Sequence, residues 1–411
     1  MKKLIKSRSG IIVILLMMVL AMQTACKKSD NEKPPVITRI RAISAAPNDS
    51  TLTKVGSGQN IVIQGENLKT VSAVYFSGFA ATFNSALVGD DNFVVTVPSI
   101  LFSNIPKGQE NTIRLVTKYG ETTFTFPVSP PPPVVSSVSN EYTPQGQTIT
   151  LYGQYLYLIK SITFPGGADG TNVVSKPDGT SCTVTIPLSA TSGDIVVKTQ
   201  GGTSTYSSYN DQVTGMLCNF DNVNNYSYGA SITNSQALFP GAQGNYARMF
   251  TGSISAFNYA WYDANRSINL NQVQWVPQAN LADPVSSYVL KFEISVKEPW
   301  GGGGLMIRRN EGSWLYLARY EPWKAEATRI FKSNTWYTVT IPLTQFKTKT
   351  GNGEGTGTSA PTLNDLITSS SSVTNTGKGA IVFMYINDTA TPVTTKFDVG
   401  IDNIRIVKLK K

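Results

Sequence analysis

The chain reads as an all-β protein built from three sandwich-like domains in series, and three observations lead there. Only 15% of its 411 residues are charged, while Ser, Thr, Gly, Asn, Val and Tyr abound, a composition suited to half-buried pleated surfaces. A motif recurs in the first half of the sequence. Short alternating segments, each closed by glycine or another turn former, return about every ten residues throughout, as a β-sandwich requires. Helix is expected only for a turn or two near Leu363 to Ile367.

The N-terminus sets the compartment. Lys2, Lys3, Lys6 and Arg8 precede the unbroken apolar run Ile11 to Met22. That run is too short to span a bilayer as a helix but suits the core of a signal peptide. Gln23-Thr24-Ala25-Cys26 resembles a bacterial lipobox, with Gln23 where that pattern usually has Leu. The resemblance implies a signal peptide over 1–25, lipidation of Cys26 and membrane attachment through it. Residues 26–35 then read as a polar tether. An ordinary secretory signal with an incidental Cys26 is the alternative.

The repeat organises residues 36–212. Ile61-Val-Ile-Gln-Gly65-Glu-Asn-Leu68 followed by Val74-Tyr-Phe76-Ser-Gly78 matches Ile149-Thr-Leu-Tyr-Gly153-Gln-Tyr-Leu156 followed by Ile162-Thr-Phe164-Pro-Gly166. Phe93-Val-Val-Thr-Val-Pro98 likewise matches Cys182-Thr-Val-Thr-Ile-Pro187. A strand ending in Gly-x-x-Leu, then Val/Ile-x-Phe-x-Gly, resembles the IPT/TIG immunoglobulin-like family. The resemblance implies two Ig-like sandwiches, over 36–129 and 134–212, acting mainly as spacers. Pro130 to Pro133 between them favours extended polyproline II and a semi-rigid joint.

The region 216–411 differs, reading as an antiparallel β-sandwich or jelly roll. It holds all six tryptophans: Trp261, Trp275, Trp300, Trp314, Trp323 and Trp336. A flat indole covers the apolar face of a sugar ring at low entropic cost. Trp336 alternates within Thr335 to Pro342 and reads as core. Trp300 follows Pro299 and precedes four glycines, so it reads as an exposed loop tip. Trp323 follows Pro322 at a strand exit. Trp314, Tyr316 and Tyr320 share one face of a strand, with Leu315, Leu317 and Arg319 on the other; the aliphatic side is expected inward and the aromatic side outward. Trp261 and Trp275 rank lower as contacts. Arg308, Arg309, Arg319, Glu311, Asn310 and Lys324 are candidate polar partners for sugar hydroxyls. Alanine at Trp300 or Trp323 is expected to weaken glycan retention without unfolding.

Lys291 to Trp300, Arg319-Tyr-Glu-Pro-Trp323, Trp336 to Leu343 and Ile401-Asp-Asn-Ile-Arg-Ile resemble, in this order, the glycan-binding domain of Bacteroidetes surface glycan-binding proteins of the xyloglucan-binding type. That resemblance implies a non-catalytic, surface-exposed outer-membrane protein. It would hold polysaccharide, a β-glucan, xyloglucan or related plant β-glycan, for a TonB-dependent transporter.

Other chemistries are narrowed by composition. With no histidine, Ser-His-Asp and Cys-His catalysis and His-ligated metals are removed. A glycoside hydrolase would need two facing carboxylates, and no motif singles out a pair among Glu293, Glu298, Glu311, Glu321 and Glu326. A protein-binding adhesin is the other alternative. The formal charge of +9 includes four signal-peptide positives and no clustered basic face, so nucleic acid is not an expected partner. Cys182 and Cys218 are expected as buried free thiols. Asp221 and Asp402, on the first and last strands of the domain, offer oxygen ligands for a structural Ca²⁺; turn-capping aspartates are the alternative. No cofactor is expected, and the protein is expected to be a monomer.

Overall fold

The computed structural model describes residues 33–263, 265–309, 315–351, 353–367 and 375–409. The expected signal peptide, Cys26, Asn310, Glu311 and Trp314 lie outside them. The chain divides into two compact units, one up to Pro131 and one from Pro132 onward.

The first unit is a small sandwich. One sheet orders Val36–Ala42, Asn60–Glu66, Asn92–Thr96 and Thr82–Phe83; the other orders Phe79–Ala80, Val71–Phe76, Thr112–Thr117 and Gly120–Thr125. Strand alternation points Ile61, Ile63, Phe93, Val95, Ile113 and Leu115 between the sheets, where they are almost wholly buried. The second unit begins with the same arrangement. Val134–Val138, Thr148–Gln154, Ser181–Thr185 and Thr171–Ser175 form one sheet; Ile159–Thr163, Gly193–Thr199 and Thr203–Tyr209 form the other.

The repeated motif has a backbone reason. A Cβ on Gly65 would fall 1.8 Å from the Val36 carbonyl oxygen, and one on Gly153 would fall 1.8 Å from that of Val134. In both copies the first strand carries a register shift at this crossing, so only glycine lets the two backbones pass. Leu68 and Leu156 then reach each core fully buried, as do Phe76 and Phe164.

The remainder is a larger sandwich of eleven strands: β1 (Met216–Cys218), β2 (Tyr226–Gly229), β3 (Ser231–Thr233), β4 (Tyr246–Thr251), β5 (Ser267–Gln274), β6 (Tyr288–Val296), β7 (Gly304–Arg309), β8 (Leu317–Tyr320), β9 (Tyr337–Pro342), β10 (Lys378–Ile386) and β11 (Phe397–Lys408). One sheet runs β3-β4-β11-β6-β9, with β1 also on β11; the other runs β2-β5-β10-β7-β8. Leu290, Phe292 and Ile294 from the first meet Leu305, Ile307, Ile381 and Phe383 from the second in one core. The single α-helix among the described residues is α1 (Leu363–Ile367), where the sequence places it. Cys182 and Cys218 are buried free thiols.

Both C-terminal sheets are covered on their outer faces as well. Phe239, Tyr246 and Trp336 cluster outside the first sheet, so Trp336 packs structurally. Met306, Leu317, Val382, Met384 and Ile386 cluster outside the second, with Trp261 laid against them.

Candidate functional site

The outer face of sheet β2-β5-β10-β7-β8 gathers the surface aromatics. Cross-strand register sets Tyr228, Asn269, Val382, Arg308 and Leu317 in one row, and Ser267, Met384, Met306 and Arg319 in the next. Adjacent outward side chains in such rows touch, so the register sets Arg308 and Arg319 beside an aliphatic floor of Val382, Leu317, Met306 and Met384.

Above this floor runs the loop joining β4 and β5, which contains Phe257, Tyr259, Trp261 and Tyr262. Phe257 is 60% exposed, Tyr259 37% and Tyr262 71%. Trp261 lies half-buried on the floor, edge-to-face with Tyr262 at 6.1 Å, and the Arg308 guanidinium sits 5.3 Å from its ring centroid. Tyr228, 46% exposed, ends the first row.

The loop is held on several sides. Phe257 N–H donates to the Thr389 carbonyl at 2.9 Å and Asn387 N–H to the Asn258 carbonyl at 3.0 Å. The Asn387 side chain donates to the Ser255 carbonyl at 3.0 Å. Buried Arg266 donates to Asn258 Oδ1 at 3.0 Å and to the Tyr385 carbonyl at 2.9 Å. Rings held this way lose little freedom when a ligand stacks on them.

The charged groups here are paired. Arg319 donates both to Asp388, at 2.6 and 3.1 Å, and to Glu321, at 2.9 and 3.0 Å. Lys324 meets Glu321 and Lys349 meets Glu354, each at 2.8 Å. Burial alone would raise the Asp388 pKa, but the Arg319 hydrogen bonds and charge outweigh it and hold that carboxyl below its usual range. Burial lowers Arg308 to about 10, with Tyr228 and Glu354 partly opposing. Tyr259 is raised, by burial first and then by Asp388 and Glu354.

Several expected contacts are placed differently. Trp300 is not on an exposed tip. It is fully buried, its ring 4.9 Å from Phe397 and 6.0 Å from Tyr320, and its Nε1 donates to the Gly302 carbonyl at 2.8 Å. The backbone pairs with Phe331 and turns back at Gly303, which has φ +64. The glycines thus fold the tip inward, and the indole plugs the end of the sandwich. Trp275 is likewise core, edge-on to Phe346 at 6.0 Å. The expected facing of β8 is reversed. Tyr316, Ala318 and Tyr320 turn to the main core, while Leu317 and Arg319 face outward. The Tyr320 hydroxyl bonds that of Tyr337 at 2.7 Å, and burial lifts its pKa to about 12.

Trp323 is half-buried against the main core. Its Nε1 is tied to the Gly303 carbonyl at 2.9 Å, and Lys324 Nζ stands 5.5 Å from its ring centroid. Of the ranked candidates, Arg308 and Arg319 meet on the outer face, together with lower-ranked Trp261. Phe257, Tyr259, Tyr262 and Tyr228 were not among the expected contacts. Their signal was present: Phe257-Asn-Tyr-Ala-Trp-Tyr262 concentrates aromatics where no strand pattern needs them. Asp221 is exposed and accepts from the Asn245 backbone and side chain at 3.0 and 2.7 Å. Asp402 is buried and raised well above its usual range, chiefly by burial, and accepts from the Asn403 backbone N–H at 2.7 Å. No group of three acidic or cysteine side chains able to hold a metal occurs among the described residues.

Fold and face together define a multi-domain β-sandwich protein whose last sandwich carries an aromatic- and arginine-lined surface. Residues 209–408 match the model of the surface glycan-binding protein B xyloglucan binding domain. The chain is 29% identical, over 184 residues, to an IPT/TIG domain-containing protein of Bacteroides ovatus; the match spans 44% of this chain and 37% of the relative's length. Among solved structures it is similar to surface glycan-binding protein B of Prevotella bryantii, with TM-score 0.66 at 22% identity over 92% of this chain and 99% of the other. A second likeness is to the surface glycan-binding protein B of a complex xyloglucan utilization locus in Bacteroides uniformis. Its TM-score is 0.51 at 20% identity, over 91% and 99% of the two chains. These likenesses establish a shared fold.

Proposed function

We propose that this protein binds a β-glucan-type polysaccharide, without cleaving it, on the outer face of sheet β2-β5-β10-β7-β8. The observation that carries the reading is the pinned aromatic loop, with Tyr259, Trp261 and Tyr262 partly or largely exposed beside Arg308 and Arg319. A glucan chain presents flat C–H faces and a rim of hydroxyls. Rings take the faces, and Arg308, Tyr228, Asp388 and Glu321 supply donors and acceptors for the rim. The family match at 209–408 supports xyloglucan or a related β-glycan as the ligand class.

The non-catalytic reading is supported by the carboxylates of this face. Glu321, Glu354 and Asp388 are each held by a cation, and Asp388 is shifted away from the protonated state a general acid requires. The lipobox-like Cys26 and the two Ig-like repeats support an outer-membrane lipoprotein that displays the domain to a glycan-uptake transporter.

Affinity electrophoresis in xyloglucan and mixed-linkage β-glucan, with calorimetry on their oligosaccharides, tests the reading. The intact chain should be retarded and release no reducing sugar. Trp261→Ala should weaken binding by roughly ten- to a hundredfold, taking about 1–3 kcal/mol per stacked ring from nucleic-acid bases as the analogue. Wild-type affinity in that variant would place the ligand elsewhere.

A further inference from the structure

A second groove lies within the unit that begins at Pro132, between the second Ig-like sandwich and the C-terminal sandwich. It consists of two cavities of about 440 and 540 Å³ that share Ser136, Tyr206, Lys291 and Leu409 and so adjoin. Each lies in the size range of small-ligand sites.

Its base is rigid. Glu141, from the Ig-like side, pairs with Lys291 and Arg405 of the C-terminal sandwich and accepts from the Tyr206 hydroxyl. Arg405 also pairs with Glu293 at 2.8 Å. Two hydrogen bonds add to this, from Thr338 N–H to the Ser139 carbonyl at 3.0 Å and from Glu141 N–H to Thr338 Oγ1 at 2.8 Å. The two walls therefore cannot slide past one another without breaking a buried ionic network, whose loss is costly.

The lining chemistry selects a ligand class. Tyr152, 44% exposed, stands on the Ig-like wall. The edge-to-face pair Phe331 and Tyr337, 5.9 Å apart, stands on the other. Hydroxyl side chains fill the intervals, among them Ser136, Thr205, Ser207 and Thr340. Lys291 and Lys408 are paired with Glu141 and Asp283, and Asp194 and Asp211 also line the groove, so no free basic cluster is there to attract a polyanion. Its apolar surface is divided among separate ring faces and the aliphatic Val135, Val138, Val407 and Leu409, with hydroxyls between them. What fits is an extended, uncharged, polyhydroxylated chain.

We propose that this groove is a second saccharide subsite, engaging a further stretch of the same polysaccharide. The inference rests on the glycan-binding reading above. It gives the second Ig-like sandwich a direct part in binding beyond that of a spacer. Two weak sites on one rigid unit raise affinity for a long chain far more than for a short one.

The test uses the whole chain with Ser136→Trp, which fills the groove from an exposed position, and Tyr152→Ala, which removes a ring. Melting curves check that both remain folded. Calorimetry with a β-glucan heptasaccharide at millimolar concentration should give two sites on the wild type. The one left by Trp261→Ala should disappear in Trp261→Ala/Ser136→Trp. Each single groove variant should weaken retention by the polymer by at least about tenfold, the lower side of a bivalent gain. One site on the wild type, with polymer retention unchanged in both groove variants, overturns the inference while leaving the functional reading intact. A wild type that binds no glycan overturns both.

Discussion

The two outer faces of the C-terminal sandwich share one core and have opposite characters. Outside β3-β4-β11-β6-β9, the strands present Lys291, Glu293 and Arg405, which form an ionic network with Glu141 of the preceding sandwich. Outside β2-β5-β10-β7-β8, they present Met306, Val382 and Met384 beneath Trp261, with exposed tyrosines above. Buried charge that finds its partners within the chain marks where the two sandwiches dock, with the proposed groove at the margin of that contact. Aromatic rings held in place yet left uncovered mark a surface kept for ligands. The carboxylates follow the same division. Burial, together with repulsion from Glu141, raises Glu293 despite Arg405, whereas Arg319 holds Asp388 low on a face still reached by solvent.

The contrast can be broken most forcefully on the docked side. Arg405→Ala leaves Glu293 without its cation and Glu141 with Lys291 alone, and should cost about 3–5 kcal/mol, read as a large fall in melting temperature. Trp300→Ala should cost a similar ~3–5 kcal/mol through the cavity it leaves, with loss of glycan binding only where the domain unfolds. A folded Trp300→Ala variant of normal stability that fails to bind would return this residue to the site.

On the open side the effects should appear in binding and leave stability alone. Tyr262→Ala is expected to weaken oligosaccharide binding by about 1–2 kcal/mol, within the range for one stacked ring, at an unchanged melting temperature. A fall in stability without a fall in affinity would mean the ring packs and does not bind. Trp323→Ala sits between the two classes. It should lose about 1–2 kcal/mol of stability, from the Gly303 hydrogen bond and partial packing, and little affinity.

The smallest effect is the response to pH. Asp388 has a depressed pKa in the folded chain, so its pairing with Arg319 is complete above the ordinary value near 3.8 and is lost as pH falls through the lowered one. Binding should therefore stay flat from neutral pH to about 5 and decline only under stronger acid. Asp388→Asn should remove that acid limb. A limb that survives in the variant assigns it to another carboxylate.

Local rules carried the sequence reading some distance. Gly65 and Gly153 could be matched because the same backbone crossing recurs and admits no Cβ. Trp336 was legible as packing from the alternation around it, and the short helix was expected where it occurs, at Leu363–Ile367. Trp300 was not. Proline before it and glycines after it correctly signal a turn, but a turn can fold over the end of a sandwich as readily as into water. Tyr316 and Tyr320 failed for a related reason. Alternation separates two faces of a strand without saying which is inside, and in this domain both faces of both sheets are covered. The Phe257 to Tyr262 run offered the better signal, because aromatics outside any strand period have no packing role to explain them.

By itself, then, the order of residues determined what depends on near neighbours: strands, turns, a repeated glycine crossing, and the confinement of indoles to the last domain of the chain. Which rings reached water was decided only when distant segments met. Exposure is a property of what lies above a side chain, and Asn387 and Thr389, which help hold the aromatic loop in place, come to it from a distant part of the chain. The ion pairs that dock the opposite face join residues as far apart as Glu141 and Arg405, and no local pattern announces a partner at that separation.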